Sequence, residues 1–419
     1  MNYIPISNGI HGLFIENKRF STTHVSVNFY LPLIKEKIAA NALLPYVLSS
    51  CCGEYPDFSA LNFRLNELYG AEIGGIADKI GDTQVIRFFS YCIDNEYVPT
   101  GEDIASKSFN LLLSMLFEPS ASNGKFKDSD VERERRLTLQ KIEGIINDKR
   151  TYAINRTLFE MYKDDPFGQL KTGSAEDVAK VTAKDLYDTW KDLLASAEIR
   201  IQVVGKEFPT ALFEMFKEKI SKYQRQPFSK KPTKLKTPAP DVKRICEKMD
   251  ITQGKMVMGF CTDIAGTDRE TAYLAVFADL FGGGPYSKLF VNVREKMSLC
   301  YYCAARANRT KGYMLVDCGI ETQNAQKAEE EILNQLERLK SGNFTDEELN
   351  SSKRSIKDSL ICINDSQAAI DSWYSLKTTE ADLITPEEYN EFISGVTRED
   401  IIKAANSYSL DTVYKIMPR

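Results

Sequence analysis

Arg294 and Tyr301 have the side chain types and the spacing to act together on a substrate carbonyl group. They lie seven residues apart within residues 277–305, which read FADLFGGGPYSKLFVNVREKMSLCYYCAA. A guanidinium can anchor a carbonyl or carboxylate with two hydrogen bonds. A phenol can donate to the oxyanion that forms when a scissile carbonyl is attacked. The alternative interpretation is an arginine that caps a helix end and a tyrosine packed in a sheet.

The surrounding residues predict how this pair is held. Ser287 is expected to open a short helix with Arg294 near its end, and residues 299–305 to form a strand. Side chains alternate along a strand, so two groups should face opposite ways: Tyr301, Cys303 and Ala305 on one face, and Cys300, Tyr302 and Ala304 on the other. Cys300 and Cys303 would then point apart, which disfavours zinc or redox chemistry by this pair.

Other candidate groups carry weaker signals. The two histidines, His11 and His24, are thirteen residues apart and do not have the spacing of a metal motif, so each is interpreted as a strand or surface residue. Gly282-Gly283-Gly284 is not followed by the Gly-Lys-Ser/Thr ending of a phosphate loop, and a helix stop with a turn accounts for it. Adjacent Cys51 and Cys52 are predicted to be buried or in a loop as free thiols.

Composition excludes several classes of function. The chain has 419 residues, a hydrophobic fraction of 43% and a formal net charge of −5, which argues against nucleic acid as the main partner. It has neither a signal-peptide pattern nor an apolar stretch long enough to span a membrane. Nine scattered cysteines favour reduced thiols in a cytoplasm over a disulfide framework.

Two halves of the sequence resemble each other on either side of a Pro/Lys-rich linker at 226–241. The matches lie 215 to 218 residues apart, and Ser59-x-Leu61 pairs with Ser287-x-Leu289 at an offset of 228. In each half, β-prone runs are connected through helical patterns, which predicts sheets covered on one face by helices. The expected fold class is therefore α+β, duplicated, with halves at 1–225 and 242–419.

Residues 277–305 closely resemble the C-terminal signature of the M16 family, whose members are similar to pitrilysin and the mitochondrial processing peptidase. In that family, an arginine and a tyrosine at this spacing contribute to a zinc peptidase site whose metal is held by the other half. The resemblance covers nearly the whole chain and implies duplicated α+β halves. Short stretches such as 42–48, 147–153 and 292–296 resemble the subgroup associated with 5-aminopentanol modification of elongation factor P.

The sequence departs from active family members where the zinc should be bound. The family motif is His-x-x-Glu-His on the first long helix, and the corresponding residues here, Ala39–Leu48, read AANALLPYVL. Leu43, Tyr46 and Val47 occupy the positions of the ligands and base, and Pro45 is expected to disturb the helix. No metal is expected in this chain.

A second departure lies at the edge strand that follows Tyr69. Active members usually have an Asn-Ala pair there, which helps to bind the substrate backbone as an added strand, whereas this chain has Gly70-Ala71-Glu72-Ile73-Gly74-Gly75. The glycines permit a close backbone approach or a bulge but weaken a strand-pairing site.

The resemblance therefore implies a non-catalytic subunit of a heterodimeric M16B peptidase. Arg294 and Tyr301 would bind substrate and act in the active site of a zinc-bearing partner, and the two chains would enclose an unfolded peptide. A homodimer of the isolated chain is also possible, and neither nucleic acid nor membrane is expected as a partner. The competing hypothesis is an inert M16-fold protein with a structural or peptide-binding role.

Overall fold

The computed structural model describes residues 1–228, 231–377 and 383–419; residues 229 and 230 of the predicted linker lie outside this part. The chain forms two compact units. Unit 1 comprises Met1–Glu143, Gln169–Lys231 and Ser366–Thr378, and unit 2 comprises Gly144–Gly168, Pro232–Asp365 and Thr379–Arg419. Each unit thus includes a segment from the other half of the sequence, and a single boundary at 226–241 does not describe this exchange. The domain boundary at 226–241 stays a prediction.

The N-terminal half contains eight strands and eight α-helices among the described residues. The strands are β1 (Asn2–Ser7), β2 (Ile10–Glu16), β3 (Thr22–Pro32), β4 (Glu72–Ile80), β5 (Thr83–Ile93), β6 (Ala121–Ser122), β7 (Lys125–Phe126) and β8 (Glu198–Gly205). The helices are α1 (Ile38–Leu48), α2 (Phe58–Glu67), α3 (Ile104–Phe117), α4 (Asp128–Gly144), α5 (Lys149–Met161), α6 (Ala175–Lys180), α7 (Ala183–Ser196) and α8 (Thr210–Ile220).

The C-terminal half has five strands and six α-helices among the described residues. The strands are β9 (Lys243–Met249), β10 (Gly254–Cys261), β11 (Cys300–Asn308), β12 (Tyr313–Ile320) and β13 (Ser409–Pro418). The helices are α9 (Asp268–Gly282), α10 (Ala325–Lys340), α11 (Asp346–Ile363), α12 (Gln367–Ser375), α13 (Pro386–Gly395) and α14 (Arg398–Ser407), with a π-helix at Leu289–Lys296.

The two main sheets have the same topology. The first sheet has the order β1-β2-β8-β3-β5-β4, and the second, taken from its parallel end, has the order β9-β13-β10-β12-β11. Each sheet has one parallel pair, which is β2 with β8 in the first sheet and β9 with β13 in the second. The pairs beyond it in the order given are all antiparallel. The duplicated α+β class predicted from the sequence is confirmed, and the N-terminal half adds β1.

Helix capping explains one of the short sequence repeats. Thr182 and Asp185 form a capping box at the start of α7, and Thr397 and Asp400 form the same box at the start of α14. In each box the threonine hydroxyl accepts from one backbone N–H and the carboxylate accepts from another, which satisfies two free donors of the first turn. The repeat therefore preserves a helix start.

One local prediction differs from the structure, and one helix start lacks a side-chain cap. Pro45 was expected to disturb α1, but the helix continues through it to Leu48. The side chains of Leu44, Val47 and Leu48 are buried around the proline, and their packing stabilises the last turn. Asn324 stands at the N-cap position of α10, but its side chain makes no capping hydrogen bond. A 3-10 turn at Thr322–Asn324 leads into that helix and places Asn324 in a helical conformation, which removes the extended geometry that capping requires.

Candidate functional site

Arg294 and Tyr301 line one cleft of unit 2. The cleft has a volume of about 360 Å³. It is formed by the end of the π-helix, the start of β11 and the residues that follow β12: Arg294, Glu295, Ser298, Leu299, Cys300, Tyr301, Glu321 and Asn324. The structure therefore brings the two residues predicted from the sequence to one solvent-accessible place, while their role in a reaction stays a prediction.

The helix that carries Arg294 is a π-helix, and the sequence predicted only a short helix from Ser287. The Met297 N–H donates to the Asn292 carbonyl oxygen five residues back, at 3.2 Å. The wider turn is supported by Asn292, whose side chain donates to Gln335 Oε1 at 3.0 Å. π-Helices are rare, and those that occur are frequently found at functional sites. Here the helix ends at Lys296, and Ser298, whose φ is 52°, lies between the helix and β11.

A β-bulge at the start of β11 changes the predicted facing of the side chains. Cys300 pairs with Ile320 and Tyr302 with Gly319, so Tyr301 is an extra residue without a partner in β12. Its side chain is 56% exposed, whereas Cys303 and Ala305 are each 5% exposed. The expectation that Tyr301 shares a face with Cys303 and Ala305 is wrong, because one inserted residue shifts the alternation.

The same bulge corrects the prediction for the cysteines. Cys300 joins Cys303 on the buried side of β11, where Cys318 is the cross-strand neighbour of Cys303. The neighbouring Cys303 thiol and the charge of Arg294 lower the pKa of Cys300, although burial opposes this. The pKa of Cys303 is raised by the neighbouring thiols of Cys300 and Cys318 and by burial.

Tyr301 and Arg294 each have a local partner in the cleft. The Tyr301 hydroxyl donates to Glu321 Oε1 at 3.0 Å, and this hydrogen bond raises the pKa of the phenol. The Arg294 guanidinium lies over the Phe290 ring at 4.4 Å from its centroid. Its Nε is 3.6 Å from Glu295 Oε1, a loose surface pair.

Gly282 fixes the position of the cleft against the sheet. A Cβ atom at this position would lie 2.5 Å from the backbone nitrogen of Ala305, closer than side chains approach in proteins. Helix α9 can therefore end directly on β11 only because residue 282 is glycine. The sequence predicted a helix stop in this glycine run. The close approach of α9 to β11 is a second reason for a glycine at position 282.

Two of the three positions expected to hold zinc in active relatives are occupied by core residues. Leu43 and Val47 are buried in the core of unit 1, and the Tyr46 ring lies 4.8 Å from Lys141 Nζ. Two aliphatic side chains and a neutral phenol do not fit a zinc ion, which takes Cys, His or carboxylate ligands. Nowhere in residues 1–228, 231–377 and 383–419 do three His, Cys, Asp or Glu side chains meet in a metal-binding arrangement.

Both histidines lie in strands of unit 1. The sequence predicted that each is a strand or a surface residue, and the structure places both in strands. His11 in β2 stacks on Tyr3 with ring centroids 5.2 Å apart. His24 in β3 is buried, and its Nε2 atom is 3.4 Å from Asp371 Oδ2.

The glycines of β4 allow a close approach and do not form a bulge. Strand β4 is an edge strand, and its register with β5 is regular along its length. A Cβ atom at Gly75 would lie 2.7 Å from the Pro45 carbonyl oxygen, so α1 packs directly on this strand. The pair Gly74 and Gly75 is thus explained by packing.

Glu321 is the residue of the cleft that the sequence interpretation missed. It directly follows β12, whose Ile320 pairs with Cys300, and so it lies beside the start of β11. The sequence offered one indication of its role, since Glu321 is an acidic residue at the end of a strand that neighbours a candidate tyrosine. The bulge that turns Tyr301 towards Glu321 could not be predicted from the sequence pattern.

The fold and the site together define the class of protein: a duplicated α+β scaffold of M16 type that carries Leu43, Tyr46 and Val47 where active members are expected to hold zinc. Residues 180–356 match the family described as Peptidase M16 inactive domain. A Bacillus subtilis protein described as "Probable inactive metalloprotease YmfF" is 30% identical over 410 residues, covering 97% of this chain and 95% of that protein. The chain therefore belongs to the M16 peptidase family and is an inactive peptidase homologue.

Two further comparisons extend this similarity. Another B. subtilis protein, described as "Uncharacterized zinc protease YmxG", is 23% identical and covers 86% of this chain and 85% of its own length. A crystal structure of a conserved protein from Enterococcus faecalis superposes with a TM-score of 0.91 at 25% identity, over 100% of this chain and 98% of that one. Among the described helices, none has the length and apolarity needed to cross a membrane.

Proposed function

We propose that this chain is the non-catalytic subunit of a heterodimeric M16B zinc peptidase. In this proposal Arg294 and Tyr301 complete the active site of a zinc-bearing partner, and the chain helps to enclose an unfolded peptide. The observation that carries the proposal is the cleft in which both side chains are accessible, in a chain whose zinc positions hold Leu43, Tyr46 and Val47. A cytoplasmic location belongs to the proposal, supported by nine cysteines that are all free.

The roles of the two residues follow from their chemistry. Arg294 would anchor a carbonyl or carboxylate of the peptide through its guanidinium. Tyr301 would donate to the oxyanion, for which its hydroxyl must exchange its present acceptor, Glu321, for the substrate. The metal and the general base would come from the partner. B. subtilis has relatives of both descriptions, one inactive and one a zinc protease, which supports the availability of such a pair.

The test is reconstitution with a zinc-bearing M16B protein from the same organism, chosen first from a neighbouring gene. The chain alone, supplied with zinc and unfolded peptides, is expected to cleave nothing, while the mixture forms a stable complex and cleaves. Robust zinc-dependent cleavage by the single chain would overturn the proposal.

One observation favours a second candidate, an inert scaffold with a structural or peptide-binding role. The Tyr301 hydroxyl and the Arg294 guanidinium already have partners within the chain, Glu321 and Phe290. This candidate predicts that the chain binds unfolded peptides or a partner protein without raising any rate of cleavage.

A further inference from the structure

We propose that Lys255 and Arg150 form an anion-binding site within unit 2, and that the ligand of this site is a carboxylate group. The lining of the Arg294–Tyr301 cleft does not include these two residues, and the proposal does not rest on the peptidase pairing. Its basis is two cationic side chains beside one tyrosine ring, each with hydrogen-bond donors that no group of the described residues accepts.

The register of the second sheet places Lys255 and Tyr302 in one row. Both residues pair with Gly319 of β12, Lys255 from β10 and Tyr302 from β11. Their side chains therefore stand on the same face of the sheet, on either side of the glycine. A Cβ atom at position 319 would lie 2.6 Å from Tyr302 Cε1. Because this position has no side chain, the tyrosine ring can lie across the row.

The Tyr302 ring is the common neighbour of the two cations. Lys255 Nζ lies 5.4 Å from the ring centroid, and the guanidinium carbon of Arg150, in the first turn of α5, lies 4.6 Å from it. Both distances are within the range of a cation–π attraction. The two like charges repel, and the pKa of Lys255 is lowered by burial and by the charge of Arg150. An anion bound by both cations would offset this repulsion.

Both cations keep donors for a ligand. The half-buried Lys255 ammonium donates to Gln253 Oε1 and forms no ion pair with a carboxylate in the part of the chain that the structure describes. An ammonium has three donors, so two remain. Arg150 donates from Nε to the buried Asp317, while its two terminal nitrogens have no acceptor among the same residues. The Arg150 side chain is 37% exposed, so a ligand can reach these nitrogens from solvent.

The local charges fit a ligand with a single negative charge. Asp317 is paired with Arg150, and Lys255 has no such partner. A second carboxylate nearby, Asp148, is exposed and accepts from the backbone N–H groups of Arg150 and Thr151 and from the Thr151 hydroxyl, which holds it at the start of α5. A carboxylate is a monoanion whose two oxygens can accept from a guanidinium and from an ammonium. Two sources supply this group: the C-terminus of a peptide and an acidic side chain.

The experiment measures binding of three short N-acetylated peptides to the full-length folded chain by ligand-observed NMR, at neutral pH and constant ionic strength. The first peptide has a free C-terminus and no acidic side chain, the second is amidated and contains one glutamate, and the third is amidated and neutral. At least one charged peptide is expected to bind, and the neutral peptide is not. Tighter binding of the first peptide assigns the site to a C-terminus, and tighter binding of the second assigns it to an acidic side chain.

Two outcomes of this measurement would contradict the proposal. Equal binding of all three peptides would show that the carboxylate is not recognised, and failure of both charged peptides to bind would show that there is no site. Competition distinguishes the class of anion, with acetate and inorganic phosphate as the competitors. Displacement of the peptide by phosphate at lower concentration than by acetate would overturn the assignment to a carboxylate.

Variants test which residues bind the peptide. Lys255→Gln leaves the Arg150–Asp317 pair intact, and loss of its charge-assisted hydrogen bond is expected to weaken binding about 10- to 100-fold. Arg150→Lys keeps a charge beside Asp317 but loses the planar fork, so it should weaken binding to a smaller extent. The matched control is Lys327→Gln, an exposed change in α10 of the same unit, which should leave binding unchanged. Thermal unfolding confirms that each variant is folded. Unchanged binding in Lys255→Gln, or an equal loss in Lys327→Gln, would overturn the proposal.

Discussion

The Tyr301 hydroxyl donates a hydrogen bond to Glu321 Oε1 at 3.0 Å, across the ends of two neighbouring strands. The bulge at the start of β11 turns the phenol outwards, and the end of β12 supplies the carboxylate. The candidate donor of the site is therefore held in place by an acceptor that a substrate oxygen would have to replace.

Replacement of Glu321 by glutamine is expected to lower the pKa of Tyr301 towards its ordinary value, because the carboxylate hydrogen bond and charge raise it. Titration followed by tyrosine side-chain NMR measures this change, with Tyr301→Phe used to assign the signal. An unchanged Tyr301 titration would show that the hydrogen bond does not form in solution.

Removal of the two site residues should affect cleavage by the reconstituted pair. Tyr301→Phe removes one donor and is expected to slow turnover by about 100- to 1,000-fold. Arg294→Ala should impair peptide binding and turnover together, since a charged anchor is lost. Steady-state kinetics of the purified complex gives kcat and KM separately.

The control is Tyr302→Phe, because Tyr302 packs against Gly319 and below the Arg150 guanidinium, away from the cleft. It should leave cleavage nearly unchanged. If Tyr301→Phe combined with Arg294→Ala cleaves at the wild-type rate, the shared-site mechanism is wrong and the inert scaffold takes its place.

A buried carboxylate in unit 1 should make stability depend on acid pH. Asp371 in α12 accepts from Ser26 and Gln202 at 2.5 and 2.6 Å, and it lies 3.3 Å from an Arg87 nitrogen. Burial by itself raises the pKa of Asp371, but His24, Arg87 and the Ser26 hydroxyl outweigh burial and lower it below 3.8. Its stabilising contribution is therefore complete above that value and is lost as the pH falls through the lower folded-state pKa.

Asp371→Asn is expected to reduce the free energy of unfolding by about 3–5 kcal/mol at neutral pH, because it leaves buried positive charge uncompensated. Urea denaturation at pH 7 and at lower pH measures both effects, and the variant should show the weaker acid dependence. Asp358→Asn, an exposed change in α11, is the control and should stay within about 0.5 kcal/mol of the wild type. Equal stabilities for the two variants would contradict the role given to Asp371.

Gly282→Ala should destabilise unit 2 by about 1–3 kcal/mol, because the added methyl group overlaps the Ala305 backbone and forces α9 from β11. The matched control is Gly144→Ala, at a helical position where an added Cβ meets nothing within 4 Å. That change should be neutral or stabilising by up to about 1 kcal/mol. Denaturant midpoints of both variants measure the difference, and similar values would count against the close contact.

The protein purified without a metal-affinity tag should contain well under one zinc per chain, since Leu43 and Val47 are buried core residues. Elemental analysis measures the content, and EDTA should leave Tm unchanged. A stoichiometric zinc whose removal lowers Tm would mean that the first helix has been aligned wrongly with the family motif.

The sequence by itself determined the features that repeat along the chain or depend on residue type. The α+β duplication follows from local patterns and helix starts such as Thr182 with Asp185, which act within a few residues. The lack of zinc ligands at Leu43, Tyr46 and Val47 follows from chemistry alone, because no fold can turn an aliphatic side chain into a ligand.

Only the tertiary structure decided which side chains meet. The bulge at Tyr301 depends on how β11 registers with β12, and one extra residue there reversed the predicted facing of Cys300 and Tyr301. Asp371 reaches His24 and Arg87 because α12, from the second half of the sequence, packs in unit 1. Contacts between residues so distant in the chain depend on packing of the whole unit, which local periodicity does not encode.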